Sequence, residues 1–313
     1  MRLPRYNPAA VRRTLRAAYG PAAISVMESM VGRRSWRGTQ ELGRKLGAFG
    51  FRRHRRYREA AMEHIRMAFG EEYSEDRVAE VAQGCLESTA MFFLEALRLT
   101  TMSPEEVREI ARVEGAEYLW AAVEAGTGAV MFSGHIGNWD VGMVRLLYEG
   151  LPLVALSRNP RSPRLARKVM QIRERLDFPI IQIAEGAKGI LRALRSNHLV
   201  PILPDRFAWA KGLTVPFFGR PTHCWHTPAL MAQRTGCPII PVFILRQPDG
   251  SFVVRLSPPL ELQRSDDRDH DLWVNTTRCM AVLEGVVREY PEQYAWPYYI
   301  WRPGYEPPSP YPM

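Results

Sequence analysis

A histidine five residues ahead of an aspartate, with glycines around it, carries the first chemical signal in this chain: Gly134-His135-Ile136-Gly137-Asn138-Trp139-Asp140. An imidazole can take a proton from a hydroxyl near neutral pH, and a carboxylate beside it can fix the tautomer and stabilise the imidazolium. His135 follows the apolar run Ala129–Ser133, and Asp140 falls where a helix would begin, so its carboxylate can fold back toward the ring. Gly134 and Gly137 would let the backbone approach a bulky substrate closely. Composition leaves a second reading open, that of a hydrogen-bonded structural histidine and a first-turn acid.

Something must hold that turn in place. After residue 125, short apolar runs (Ala129–Ser133, Leu153–Leu156, Ile180–Ile183, Leu199–Leu203, Ile239–Leu245, Phe252–Leu256) alternate with amphipathic segments. The amphipathic segments lie near Trp139–Tyr148, Ser162–Leu176, Gly186–Ser196, Pro228–Thr235 and Asp271–Glu289. This alternation predicts an α/β fold with a central mixed, largely parallel sheet flanked by helices. Upstream, Ser74 precedes a long periodic run from Val78 to Phe93, and Ser103-Pro104-Glu105-Glu106 is a helix N-terminus with acids in its first turn.

The charge is uneven. Residues 1–58 hold 15 Lys/Arg against Glu28 and Glu41, whereas the remainder is slightly acidic, with 27 basic and 31 acidic residues. The expected division is a basic, amphipathic, membrane-associating helical segment (1–58), an α/β catalytic domain (59–302) and a proline-rich tail (303–313). Around Glu41–Phe51, Leu42, Leu46 and Phe49 share one helical face, with Arg44 and Lys45 elsewhere, as in a helix lying at a lipid interface. A solvated basic helix packed on the body is the alternative. No apolar run reaches the roughly 18–20 residues needed to cross a bilayer. Cys85, Cys224, Cys237 and Cys279 are widely spaced with no CxxC pair, which suits a reducing compartment. His223, Cys224 and His226 offer too few ligands for a tetrahedral metal site, with only His198 and Asp205 nearby, so neither metal nor cofactor is expected.

The segment Gly134–Asp140 resembles the H-x4-D/E signature of the lipid acyltransferases. It is most similar to the branch of the lipid A lauroyl and myristoyl acyltransferases and the phosphatidylinositol mannoside acyltransferases. Further blocks agree in order: Ser157-Arg158-Asn159-Pro160 with Arg173 downstream, Leu203-Pro204-Asp205-Arg206, Val215-Pro216-Phe217-Phe218-Gly219, Thr235–Pro241 and Pro291-Glu292-Gln293-Tyr294-Ala295-Trp296. The resemblance covers about residues 60–302. It implies transfer of an acyl chain from acyl-CoA or an acyl carrier protein to a lipid or glycolipid hydroxyl, with His135 as general base and Asp140 as its partner.

On that resemblance, Asn138, Arg158, Asn159, Arg173, Asp205 and Arg206 are expected at the substrate. The three guanidinium groups suit phosphate or carboxylate, or are ordinary surface cations. Asp205 would bind an acceptor hydroxyl, pair with Arg158 or stabilise a turn. The oxyanion would be met by backbone amides around Gly137–Asn138 or by Arg158. No G-x-S-x-G elbow is present, and no covalent enzyme intermediate is required. The chain departs from the branch at Arg220–His226 and after Trp296, and lacks a convincing N-terminal span, which leaves the acceptor open. The expected location is the cytoplasmic face of the cell membrane, peripheral or monotopic, with an anionic lipid surface as partner. Other readings are a hydrolase using the same His–Asp pair and a non-catalytic lipid-binding protein. Nucleic-acid binding is disfavoured by the near-neutral body and the absence of a recognised motif.

Overall fold

The strands and helices follow from local periodicity, and the computed structural model describes them over residues 21–157, 180–182, 186–208, 212–298 and 300–301. In chain order the elements begin with α1 (Pro21–Gly32), α2 (Trp36–Arg53), α3 (Arg55–Phe69), α4 (Glu75–Leu99) and α5 (Pro104–Ile110). There follow β1 (Ala111–Glu114), α6 (Glu117–Glu124), β2 (Ala129–Phe132), α7 (Trp139–Leu147), β3 (Ala155–Ser157) and β4 (Ile180–Gln182). The chain continues with α8 (Gly186–Arg195), β5 (Leu199–Ile202), β6 (Leu213–Phe217), β7 (Arg220–Cys224) and α9 (Thr227–Thr235). It closes with β8 (Ile239–Arg246), β9 (Phe252–Leu256) and α10 (Arg268–Glu289).

Five strands form the central sheet in the order β1-β9-β8-β2-β5, parallel except for the β8–β9 pair. This is the mixed, largely parallel α/β fold that the alternation of apolar runs predicts. Strand β2 lies between β8 and β5 and is buried along its whole length, as a sheet covered on both faces requires. β3 and β4 pair in parallel, and a bridge from Leu153 to Leu199 joins this pair to the edge of β5. Strand β1 and the antiparallel β6–β7 hairpin had no counterpart among the apolar runs. Both are short or polar, so neither carries a strong periodic signal.

Capping is as the residues demand. Ser103 Oγ accepts from the Glu106 amide and the Glu106 carboxylate accepts from the Ser103 amide, closing a capping box at α5. Ser74 Oγ accepts from the Arg77 amide at the start of α4. Val78, Val81, Ala82 and Cys85 of α4 are buried as the periodicity predicts, but farther along the buried set is Leu94, Glu95 and Leu99. Phe93, expected inside, is 56% exposed.

In the N-terminal layer, α2 packs on the body through its small residues and keeps its apolar face outward. Helix α2 lies against α4 through Gly43 and Gly47; a Cβ on Gly47 would stand 2.3 Å from Glu87 Cα. The apolar stripe stays outside, with Leu46 and Phe49 46% and 54% exposed. The boundary expected near residue 58 falls within α3, so α2 and α3 belong to the packed body. The expected helical start at Asn7-Pro8, the helix Ser162–Leu176 and the proline-rich tail lie outside the described residues.

Candidate active site

Parallel strands β2 and β5 are in register with Phe132 beside Ile202. Three residues beyond each strand end stand His135 and Asp205, and the constant offset of the register brings them face to face. His135 Nδ1 lies 2.7 Å from Asp205 Oδ1, and the His135 backbone N–H donates to Asp205 Oδ2 at 2.8 Å. A carboxylate offers only acceptors, so Nδ1 carries the ring proton and Nε2 presents its lone pair. Asp205 is 2% exposed. Burial alone would raise its carboxyl, but the His135 charge and hydrogen bonds, with the Tyr294 hydroxyl, outweigh it and hold Asp205 below the usual carboxylate range.

The expectation that Asp140 orients the ring is therefore corrected: the carboxylate on His135 is Asp205. Asp140 is half-buried in the first turn of α7, where an acid suits the helix dipole. Asn138 is corrected as well. Its side chain is fully buried; Oδ1 accepts from the amides of Asp140 and Val141, capping α7, while Nδ2 donates to Glu95 Oε2 at 2.7 Å. It shapes the turn and has no face toward a substrate.

The two amides expected to meet the oxyanion are already spent. Gly137 N–H donates to Gln293 O and Asn138 N–H to Ile244 O, at 3.1 and 3.2 Å, so these amides are not the oxyanion donors expected of them. Gly137 has φ +64°, and a Cβ there would sit 1.7 Å from Ile244 O. The close approach that requires glycine is to the protein's own strand β8, not to a ligand.

Glu95 is the hub behind the turn. Fully buried, it accepts from Gln40 Nε2 (2.8 Å) and Asn138 Nδ2, and receives the Arg246 fork at 3.0 and 2.7 Å. One carboxylate thus joins α2, α4, α7 and the end of β8 directly behind the turn that carries His135.

Trp139 and Tyr298 flank the imidazole with ring centroids 5.3 and 5.9 Å away, and Phe92 lies beyond Trp139 at 4.3 Å, tilted 44° to it. The exposed Arg206 guanidinium lies 4.1 Å over the Tyr298 ring. This contact holds an exposed cation beside one of the rings that flank the imidazole. Arg158, Asn159 and Arg173 lie outside the described residues. Cys224 is buried and pushed up to about 12, by burial first and then by the Asp205 charge, so it remains a thiol. Among the described residues no three His, Cys, Asp or Glu side chains stand where they could share a metal ion. The C-terminal aromatics Tyr294, Trp296 and Trp301 are core residues; Trp301 Nε1 donates to Thr222 Oγ1 at 2.7 Å.

The pairing of His135 with Asp205 had one signal in the sequence: each stands the same distance past an apolar run. Knowing that those two runs are neighbours was the missing piece. Glu95 and Tyr294 carried no such signal.

Residues 31–302 match the family described as bacterial lipid A biosynthesis acyltransferase. A phosphatidylinositol mannoside acyltransferase of Mycolicibacterium smegmatis is 29% identical over 191 residues, covering 60% of this chain and 62% of that protein. A protein of the same description from Mycobacterium tuberculosis is 31% identical over 162 residues, covering 50% of this chain and 51% of its own. The chain thus matches less than two thirds of the length of these curated relatives.

Proposed function

Because this chain belongs to the bacterial lipid A biosynthesis acyltransferase family, we propose that it transfers an acyl group from a thioester, acyl-CoA or acyl carrier protein, to a hydroxyl of a lipid or glycolipid. The observation that carries the reading is the His135–Asp205 pair at adjacent strand ends, with Nδ1 protonated and Nε2 free to accept. Strand ends of parallel sheets are where loops meet ligands.

In the proposed reaction, Nε2 of His135 takes the acceptor's hydroxyl proton and Asp205 stabilises the imidazolium. The acceptor oxygen bonds to the thioester carbonyl carbon. The tetrahedral intermediate then expels sulfur, breaking the C–S bond, and the imidazolium returns its proton to the leaving thiolate. Ester and free thiol result, and no acyl-enzyme is formed. Exposed Arg206 suits donor or acceptor phosphate, and the family resemblance implies the same role for Arg158, Asn159 and Arg173.

The descriptions of the relatives make a mannosylated phosphatidylinositol the acceptor to try first. The outer face of α2, with Leu46 and Phe49 beside Arg44, Lys45, Arg52 and Arg53, would rest on anionic lipid at the cytoplasmic face of the membrane. Incubation with radiolabelled acyl-CoA and this acceptor in anionic vesicles tests the reading. Label in lipid, lost in His135→Ala, supports it; label recovered only as free fatty acid makes the protein a hydrolase.

A further inference from the structure

Tyr294 follows the single turn Pro291–Gln293 and is buried to 1% exposure, with its ring 4.9 Å from Trp296 and 6.4 Å from Phe217. A buried phenol needs a hydrogen-bond partner. This one donates to Asp205 Oδ2 at 3.0 Å, the oxygen of the dyad that does not touch the ring. Its backbone is bound to the same turn: Ile136 bridges Tyr294, and the Ala295 amide donates to His135 O at 2.9 Å. Asp205 therefore accepts from His135 Nδ1 on one oxygen, and from the His135 amide and Tyr294 on the other.

We propose that Tyr294 is a positioning residue for the His135–Asp205 pair, anchoring Oδ2 so that Oδ1 stays on Nδ1 and sharing the carboxylate's charge. The proposal rests on the acyl-transfer reading for its kinetic arm only. The titratable groups around the phenol are Asp205, Arg206 and Cys224; burial first and then Asp205 keep it protonated well beyond the ordinary range, so it acts as a donor throughout the working pH range. Without it, Asp205 keeps two donors. More charge then remains on the carboxylate, the imidazolium is better stabilised, and a higher pH is needed to free Nε2.

The test is Tyr294→Phe in the full chain, which keeps the ring in the core. Losing one hydrogen bond to a charged acceptor lowers kcat about tenfold, with KM within about twofold, and moves the acid limb of kcat/KM to higher pH. An NMR titration of the His135 ring shows its midpoint moving in the same direction, whatever acceptor the protein uses. If that midpoint and the acid limb stay where they are in wild type, the proposal is overturned and Tyr294 is a core residue, even if the melting temperature falls. If wild type transfers no acyl group, the titration alone decides: a raised midpoint supports the positioning role and an unchanged one overturns it.

Discussion

At His135 the position of the ring proton is set by its neighbour. Asp205 can only accept, so it holds the proton on Nδ1 and leaves Nε2 basic. On the proposed reading His135→Ala removes the base and should cost about 10²–10⁴-fold in transfer rate; it also strips buried Asp205 of a hydrogen-bond partner, so the melting temperature should fall as well. Asp205→Asn, which lets the ring adopt the wrong tautomer, should fall in the same range, and more steeply than Asp140→Asn. Equal losses for the two aspartate variants would contradict this order. Asp205 also links stability to pH. Its folded carboxyl titrates below its ordinary 3.8, so the ionised form contributes in full above that value and the contribution is lost as pH falls through the folded value. Urea midpoints of wild type and Asp205→Asn should therefore converge as pH drops below 3.8.

Between elements, small residues and one buried charge set the geometry. Gly47 lets α2 lie directly on α4, and Gly47→Ala should cost about 1–3 kcal/mol in chemical unfolding because a backbone must move to admit the methyl group. Glu95 is more demanding. Its removal as Glu95→Ala would take the counter-charge from the buried Arg246 guanidinium and the acceptor from Asn138 Nδ2, and leave Gln40 Nε2 with Gly250 O alone. A loss of about 3–5 kcal/mol in urea-unfolding free energy is expected, as for other buried pairs deprived of one partner. Glu95→Gln, which keeps the volume and one of the two acceptor oxygens, should lose less.

For the molecule as a whole, the question is which described face would meet lipid. No helix among the described residues is long and apolar enough to cross a membrane. Truncation to residue 58 would remove Gln40 and Trp36, whose side chains reach Glu95 and the turn at Gly250, and would damage the core along with any docking face. Surface substitution is the cleaner probe. Leu46→Ser with Phe49→Ser changes two exposed side chains, so stability should hold while co-sedimentation with anionic vesicles weakens. Unchanged partitioning would move the docking face elsewhere.

Much of this protein was determined by local pattern. The strands β2, β5, β8 and β9, the helices α7 to α10 and the caps at Ser74 and Ser103 follow from periodicities of two and of three to four residues, which neighbours in the chain encode by themselves. The imidazole past the end of β2 was legible for the same reason. Its carboxylate was not, because Asp205 is 70 positions away and reaches His135 only once β2 and β5 lie side by side in parallel register. The role of Asn138, the packing of α2 on α4 through Gly43 and Gly47 and the hub at Glu95 were decided in the same way. Each depends on which surfaces meet, and burial is a property of the packed chain that no short window of residues contains.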